Sequence, residues 1–394
     1  MSTADRLRRH DTDLFEARPT PGRPDPDVRR RALDLIAAEL ATGEVDSTRR
    51  AELEGVVGYL EEVGSHYSEG RDLGVDKRSF STTELGVAQR MDDSDLLRYL
   101  VYRYRFNHYP RAQQLLDFPL LLAIEPTSIC NLRCIMCFQD DPRLSRNREL
   151  LGRMDFDLYR RIVDEGAKHG LAAIVLASRG EPMLHDRIFD MIRYAKGAGI
   201  LDVKMNTNAT RLTPERSREL LASGLDTLVF SVDAATKEDF ERIRVRANFD
   251  KVVENIDTFN EIRAAEFSDA PLRTRISMVV IDERQDVQRA EDFWASRVDE
   301  FAVRSAIPRV GIYEQPPIPA TRPCSLLWER LYVWWDGTVN PCDEDYLSRL
   351  AIGNVADGDT VASVWKGPAM TRYRRAHAAR EKGCLTPCDR CPGF

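Results

Sequence analysis

The chain of 394 residues is long enough for two or three domains, and its 43% hydrophobic and 31% charged residues are typical of a globular protein with a large buried core. Its 57 basic and 64 acidic residues give a formal net charge of −7, which disfavours nucleic acid as a partner because nucleic acid requires a basic surface. No apolar run approaches the roughly 20 residues of a membrane span, and the N-terminal residues lack the apolar core of a signal peptide. We therefore expect a cytoplasmic protein that binds neither nucleic acid nor a membrane.

The N-terminal part of the chain divides into two segments. Residues 1–27 are polar and rich in proline, which predicts a flexible arm. Over residues 28–115 apolar side chains recur at helical spacing, for example Leu97, Leu100 and Tyr104. We expect a helical extension there, and its function is not indicated by the sequence.

Residues 116–315 contain short apolar runs that alternate with amphipathic segments, the pattern of a parallel sheet covered on both faces. One helix is expected to begin at Thr213 and Pro214, and another to end at Gly170. The candidate strands are Leu120–Glu125, Ala173–Ser178, Asp202–Asn206, Thr227–Val232, Thr274–Val280 and Glu300–Arg304. This order predicts an α/β fold, a partial (β/α)6 TIM-like barrel with functional residues after the carboxyl ends of its strands.

Eight cysteines occur in two groups, and in a reducing compartment they suit metal ligands or reactive thiols better than disulfides. Cys130, Cys134 and Cys137 directly follow the first candidate strand. The other five all lie after residue 323: Cys324, Cys342, Cys384, Cys388 and Cys391. Cysteines that served only to fill the core would not be expected to segregate in this way.

The first group has the spacing Cys-x3-Cys-x2-Cys, which brings three thiolates to one side of a short loop. A structural zinc ion takes four protein ligands. A [4Fe–4S] cluster held by three cysteines instead leaves one iron open to an exogenous ligand. The count of three favours a cluster, with zinc as the alternative.

This segment resembles the cluster motif of the radical S-adenosylmethionine (SAM) enzymes, and further matches follow the next three strands. The resemblance implies that Cys130, Cys134 and Cys137 hold a SAM-binding [4Fe–4S] cluster. It implies that an electron from a flavodoxin- or ferredoxin-type donor cleaves SAM to methionine and a 5′-deoxyadenosyl radical. The residues that it places against SAM are Met136, Gly180, Glu181, Asn206, Asn208, Ser231 and Asp233.

The loop after the second strand departs from the family pattern, because it reads Ser178-Arg179-Gly180-Glu181-Pro182 where two glycines are more common. Arg179 is therefore either a contact for an anionic group in the active site or a solvated loop residue. Glu181 is expected to accept a hydrogen bond from the SAM ammonium group. Its alternative role is that of a carboxylate at a helix N-terminus.

The C-terminal residues 316–394 resemble the auxiliary iron–sulfur domains of this family, called SPASM in the full form and twitch in the short form. We expect a β-hairpin with its turn at Asp336 and Gly337, followed by a helix over 362–379. The resemblance assigns four ligands to a second [4Fe–4S] cluster, with Cys384 as the spare: Cys324, Cys342, Cys388 and Cys391. Cys384 could replace Cys388 or Cys391, and a structural zinc ion is again the alternative.

The family resemblance favours a small polar substrate, and we expect a sugar- or cyclitol-type alcohol. Removal of a carbinol hydrogen leaves two outcomes. Epimerisation needs a hydrogen donor, a role for which the spare Cys384 is the candidate; dehydrogenation to a ketone needs an electron acceptor such as the auxiliary cluster. The sequence slightly favours epimerisation. A peptide-modifying enzyme and a non-catalytic redox-sensing module are further alternatives.

Overall fold

The computed structural model describes residues 15–19, 26–61, 80–307, 309–319 and 322–392. The chain divides into two compact units, residues 18–115 and residues 1–17 with 116–394. Most of the expected arm lies outside the described residues, but a short strand, β1 (Phe15–Pro19), occurs within it. None of the described helices is long and apolar enough to cross a membrane.

From residue 26 onward, the described part of the unit of residues 18–115 is helical. Its helices are α1 (Pro26–Ala41), α2 (Ser47–Glu61), α3 (Thr82–Ala88) and α4 (Asp93–His108). The buried Glu52 carboxylate on α2 accepts hydrogen bonds from Arg105 at 2.7 Å and from Tyr109 at 2.6 Å. These bonds tie α2 to the end of α4 and its C-cap residue.

The strands of the larger unit follow the predicted order closely. Up to residue 305 they are β2 (Leu121–Ile124), β3 (Arg133–Cys134), β4 (Ala173–Leu176), β5 (Asp202–Thr207), β6 (Thr227–Ser231), β7 (Arg244–Val245), β8 (Arg273–Val280) and β9 (Glu300–Ser305). Strands β2-β4-β5-β6-β8-β9 are parallel neighbours in that order. The predicted partial barrel is confirmed.

Helices connect these strands and cover the sheet. They are α5 (Pro142–Ser145), α6 (Phe156–Lys168), α7 (Ile188–Gly197), α8 (Pro214–Leu221), α9 (Lys237–Ile243), α10 (Phe249–Glu266) and α11 (Val287–Trp294). The Thr213 side chain caps α8 by accepting from the Arg216 N–H, as the sequence predicts. Gly170, with φ +71°, follows the end of α6 in the left-handed region that glycine adopts without strain.

The C-terminal segment contains β10 (Arg330–Val333), β11 (Thr338–Asn340), β12 (Gly353–Asn354), α12 (Val361–Trp365) and α13 (Pro368–Ala378). The hairpin of β10 and β11 forms as expected, with Gly337 at φ +86° in its loop. The sequence did not indicate that β10 also pairs in parallel with β2, so that the hairpin continues the barrel sheet. The single helix expected over 362–379 is instead two helices, because Pro368 starts a new one after Gly367.

Candidate active site

A cavity of about 660 Å³ extends from the barrel interior to the carboxyl ends of its strands. All three cysteines of the first group line it. Four cysteines of the second group line it as well: Cys324, Cys342, Cys388 and Cys391. Two groups that are far apart in the sequence therefore face the same cavity.

The loop of the first cysteine group is held by an antiparallel ribbon of β3 and β7, in which Cys134 lies opposite Arg244. Each of the three sulfurs accepts an N–H hydrogen bond. Arg244 Nη1 donates to Cys134 Sγ at 3.8 Å, while Cys130 and Cys137 each accept at 3.5 Å from the backbone N–H two residues further along. Such hydrogen bonds to sulfur are among the features that tune iron–sulfur sites.

The chemistry of this donor set fits a cluster with an open iron. Burial raises the pKa of the Cys130 and Cys134 thiols to about 12, and metal binding would deprotonate them. Within the described ranges, no three Cys, His, Asp or Glu side chains converge closely enough to hold a single ion. A cubane makes a different demand, because each thiolate binds a separate iron. One buried and two half-buried cysteines beside a cavity suit that arrangement.

The second group places Cys384 apart from the others. Burial raises the pKa of the Cys324 thiol to about 12, and Cys342 Sγ accepts the Glu344 N–H at 3.4 Å. Cys384 is exposed, and it is absent from the residues that line the cavity. The hydrogen-donor role predicted for Cys384 therefore disagrees with its position, since its thiol does not face a substrate held in the cavity.

Gly180 and Glu181 lie where the loop after β4 meets the backbone that leads to the first cysteine. A Cβ atom on Gly180 would come within 2.1 Å of the Thr127 carbonyl oxygen, so only glycine fits. The Glu181 carboxylate is buried and accepts hydrogen bonds from Thr207 Oγ1 and the Asn208 N–H, both at 2.7 Å. Glu181 also caps the short 3₁₀ turn that follows it, which is the alternative role that the sequence suggested.

Arg179 lines the cavity, but its charge is already paired within the protein. Its guanidinium is buried and forms a two-point ion pair with Glu125, with the closer contact at 2.6 Å. It also lies over the Trp334 ring, 4.4 Å from the ring centroid. The positive charge is therefore neutralised by Glu125, and Arg179 is not a solvated loop residue. Its contact with an anionic group in the active site stays a prediction.

The other residues expected against SAM divide into two sets. Met136, Asn206, Asn208 and Ser231 line the cavity. Asp233 does not line it: its buried carboxylate pairs with Arg244 at 2.8 Å and accepts the Val279 N–H at 2.8 Å. Asp233 therefore positions the arginine that reaches Cys134, and its contact with SAM stays a prediction.

Sequence reasoning missed His377, which lines the cavity with the second cysteine group. Its Nδ1 accepts the Cys324 N–H at 3.3 Å, and burial lowers its pKa to about 4, so the ring is neutral with the proton on Nε2. That buried Nε2 has no hydrogen-bond partner among the described residues. The signal was present, because His377 shares the buried face of α13 with Met370 and Tyr373.

Comparison with known proteins gives two family matches. Residues 124–286 match the radical SAM superfamily, and residues 324–392 match the iron–sulfur cluster-binding domain named SPASM. The first match contains the three-cysteine loop and the second contains the remaining five cysteines.

Individual relatives cover parts of the chain. It is 40% identical over 113 residues to the tungsten-containing aldehyde ferredoxin oxidoreductase cofactor-modifying protein of Pyrococcus furiosus, covering 28% of this chain and 30% of that protein. It is 31% identical over 180 residues to the mycofactocin maturase MftC of Mycolicibacterium smegmatis, covering 46% and 42% respectively. The chain thus matches less than half the length of these curated relatives.

Among solved structures, Streptococcus suis SuiB bound to the precursor peptide SuiA is similar in fold, with a TM-score of 0.53 at 17% identity over 88% of this chain and 83% of that one. The radical SAM domain implies SAM and a SAM-binding [4Fe–4S] cluster, and the SPASM domain implies an auxiliary iron–sulfur cluster. The sequence motifs, the fold and both family matches agree: the chain contains a radical SAM domain, which is followed by a C-terminal SPASM domain.

Proposed function

We propose that the chain is a SAM-dependent radical dehydrogenase that acts on a small polar substrate between its two cysteine groups. The observation that carries this proposal is that both groups line one cavity. Loaded with its cluster and SAM, the three-cysteine site would supply the 5′-deoxyadenosyl radical that takes a hydrogen atom from the substrate. The four-cysteine site faces the same substrate and would hold the group that accepts its electron.

The chain's own residues would bind and orient the substrate. Ser231, Ser277 and Asn206 present hydroxyl and amide groups to the cavity. Arg304 and Glu344 also line the cavity. Two of their buried atoms, Arg304 Nε and Glu344 Oε2, have no hydrogen-bond partner in the part of the chain that the structure describes. Several polar groups facing one cavity suit a ligand rich in hydroxyl groups, so we take a sugar- or cyclitol-type alcohol as the substrate.

The position of Cys384 favours dehydrogenation over epimerisation. A carbinol carbon that loses a hydrogen atom, and then one electron and one proton, becomes a ketone. Epimerisation would instead return a hydrogen atom to the opposite face of that carbon. Cys384, the cysteine left over by the ligand assignment, is exposed and lies outside the cavity lining. The outcome that the sequence ranked second therefore becomes the preferred one.

Peptide modification is the second candidate. The similarity to a mycofactocin maturase, and the likeness in fold to SuiB bound to a precursor peptide, both favour it. Against it, the described part of residues 26–115 is helical and contains no strand pair of the kind expected for a small peptide-recognition domain. We therefore place the small polar substrate first.

The test is anaerobic reconstitution with iron and sulfide, reduction with dithionite, and chromatography for 5′-deoxyadenosine with a panel of sugars, cyclitols and short peptides. Dehydrogenation predicts one ketone for each SAM consumed. Reaction in deuterated water separates the outcomes, because solvent deuterium at an inverted carbon would show epimerisation instead. If the reconstituted wild-type protein forms no 5′-deoxyadenosine, the radical SAM activity itself is refuted.

A further inference from the structure

A small surface beside the first cysteine group combines two exposed apolar side chains with one exposed and one half-buried arginine. We call it the ribbon face and define it as Arg133, Ile135, Val245 and Arg246, which lie on or next to strands β3 and β7. Ile135 and Val245 have relative exposures of 40% and 38%, and they are two of the three large hydrophobic residues exposed in the described part of the chain. Exposed apolar residues that cluster, unlike scattered ones, are a feature of interaction sites.

The ribbon face lies directly outside Cys134. Arg244 points inward, where it donates to Cys134 Sγ at 3.8 Å and pairs with the buried Asp233. Neighbouring residues on a strand point to opposite sides, so Val245 faces solvent behind that arginine. The ribbon is therefore the wall that separates Cys134 from solvent on the side away from the cavity.

Among the residues that the structure describes, no carboxylate pairs with either of the two arginines of the ribbon face. The Arg133 guanidinium donates to the carbonyl oxygens of Cys130 and Leu132, at 2.9 and 2.6 Å. Arg246 is exposed, and no ion pair or hydrogen bond involves its side chain within the described ranges. The nearby Arg242 is different, because Asp239 and Asp282 both pair with it.

These uncompensated charges stand out on a chain whose formal net charge is −7. A local cationic patch on an acidic protein attracts and orients an acidic partner, while the apolar residues between the charges supply contact area. A substrate would use the cavity on the other side of the loop. The outer side of the loop instead gives a short route to the Cys134 thiolate. A short route matters because the rate of electron transfer between proteins falls steeply with distance.

We propose that the ribbon face is the docking site of a small acidic one-electron carrier protein, which reduces the cluster held by the first cysteine group. The proposal rests on the proposed function, because a carrier is needed only if that cluster is reduced in turnover. Arg246 and Val245 supply recognition, and Cys134 lies at the end of the electron's path. The carrier is oxidised by one electron and the cluster is reduced by one, so the step balances.

The test compares two reductants on the reconstituted holoenzyme by measuring the initial rate of 5′-deoxyadenosine formation. The probe carrier is reduced flavodoxin, and dithionite is the small reductant that needs no docking site. The variants are Arg246→Gln, Arg246→Glu and Val245→Asp. The matched control is Arg161→Glu, which reverses an exposed arginine on α6.

We expect Arg246→Glu to slow the flavodoxin-driven rate about tenfold at low ionic strength, with a smaller effect for Arg246→Gln. The dithionite-driven rate should stay at the wild-type value in both, and Arg161→Glu should leave both rates unchanged. Added salt should slow the flavodoxin-driven reaction of the wild-type protein, so that its rate approaches the rate of the Arg246→Glu variant.

The proposal is overturned if Arg246→Glu and Val245→Asp keep the wild-type rate with flavodoxin, or if Arg161→Glu slows it equally. It is also overturned if the Arg246 variants lose the dithionite-driven rate to the same extent, because the residue would then act on the cluster loop rather than on the carrier. Failure of the wild-type protein with dithionite would refute the proposed function instead, so the two failures are distinguishable.

Discussion

The guanidinium of Arg179 and the carboxylate of Glu125 form a buried ion pair that links three parts of the molecule. Arg179 Nη2 and Nε lie 2.6 and 2.7 Å from the two carboxylate oxygens, and the side chains are 1% and 0% exposed. Arg179 Nη1 also donates to the Tyr346 carbonyl oxygen at 3.1 Å. The pair therefore joins the ends of β2 and β4 to the SPASM domain, directly beside the loop of Gly180 and Glu181.

Breaking this pair should be costly. In the Glu125→Gln variant the Arg179 charge would remain buried without a full counter-charge, which should lower the free energy of unfolding by about 3–5 kcal/mol. Denaturant unfolding followed by fluorescence would measure the change. The double variant Glu125→Gln with Arg179→Met should lose less free energy of unfolding than the sum of the losses in the two single variants. Additive losses would show that the two side chains do not interact.

Gly180→Ala should disrupt the loop, because the new methyl group would lie 2.1 Å from the Thr127 oxygen and 2.6 Å from the Ile129 oxygen. Both are backbone atoms that cannot move without displacing the first cysteine. We therefore expect the free energy of unfolding to fall by about 1–3 kcal/mol and SAM binding to weaken. Thermal unfolding and equilibrium SAM binding measure the two effects. Gly58→Ala is the control, since its Cβ would meet nothing within 4 Å in a helix interior and should stabilise the protein slightly. A Gly180→Ala variant as stable as the wild type would contradict the close approach.

Iron content should separate the cysteines by role. The wild-type protein should hold about eight irons, and replacement of Cys130, Cys134 and Cys137 by alanine should leave about four and abolish 5′-deoxyadenosine formation. Cys384→Ala should keep about eight irons and the same product, because its thiol lies outside the cavity, whereas Cys388→Ala should lose the auxiliary cluster. Iron and sulfide assays on the reconstituted variants measure this. Loss of about four irons from Cys384→Ala would make Cys384 a ligand.

Stability should depend on pH through His185. Its Nδ1 accepts the Arg187 N–H at 3.1 Å and its Nε2 donates to the Met154 oxygen at 2.9 Å, so protonation would break the first bond. Burial lowers its pKa below the ordinary value of 6.5. A pKa depressed by folding means that the stabilisation is present above 6.5 and is lost as the pH falls towards the folded-state pKa.

The wild-type melting temperature should therefore fall more between about pH 7.5 and about pH 5.5 than that of His185→Gln, which does not titrate there. Both proteins should be compared at equal cluster loading, so that acid loss of iron affects them alike. Parallel pH profiles would show that His185 contributes nothing to the pH dependence.

His377 should tune the auxiliary cluster. Its Nδ1 accepts the Cys324 N–H, and its buried Nε2–H has no hydrogen-bond partner in the described part of the chain. If that N–H is directed at cluster sulfur, it raises the reduction potential of the cluster. His377→Phe should therefore lower the midpoint potential of that cluster, and His377→Gln, which keeps an N–H donor, should lower it less. A redox titration followed by electron paramagnetic resonance would measure this in the background without Cys130, Cys134 and Cys137, where only the auxiliary cluster remains. An unchanged potential in His377→Phe would rule out the hydrogen bond.

Features that depend on neighbouring residues were predictable from the sequence. Strands β2, β4 and β6 contain short apolar runs, and Cys130, Cys134 and Cys137 are fixed on one loop by their spacing. The role of Arg179 was not predictable, because its partner Glu125 lies 54 residues away and the two meet only when β2 and β4 pair. The ion pair of Asp233 was not predictable for the same reason, because its partner Arg244 lies on a separate strand, β7.

The parallel pairing of β10 with β2 has a consequence for how the protein is made. Strand β2 is buried at all four positions, and its outer edge would be an open row of unpaired N–H and C=O groups without β10. Synthesis begins at the N-terminus, so the whole barrel leaves the ribosome before Arg330–Val333 can cover that edge. During this interval the nascent chain offers a flat apolar template for misassembly with other chains. A gene product that stops before residue 330 should therefore accumulate as insoluble aggregate rather than as a free-standing barrel.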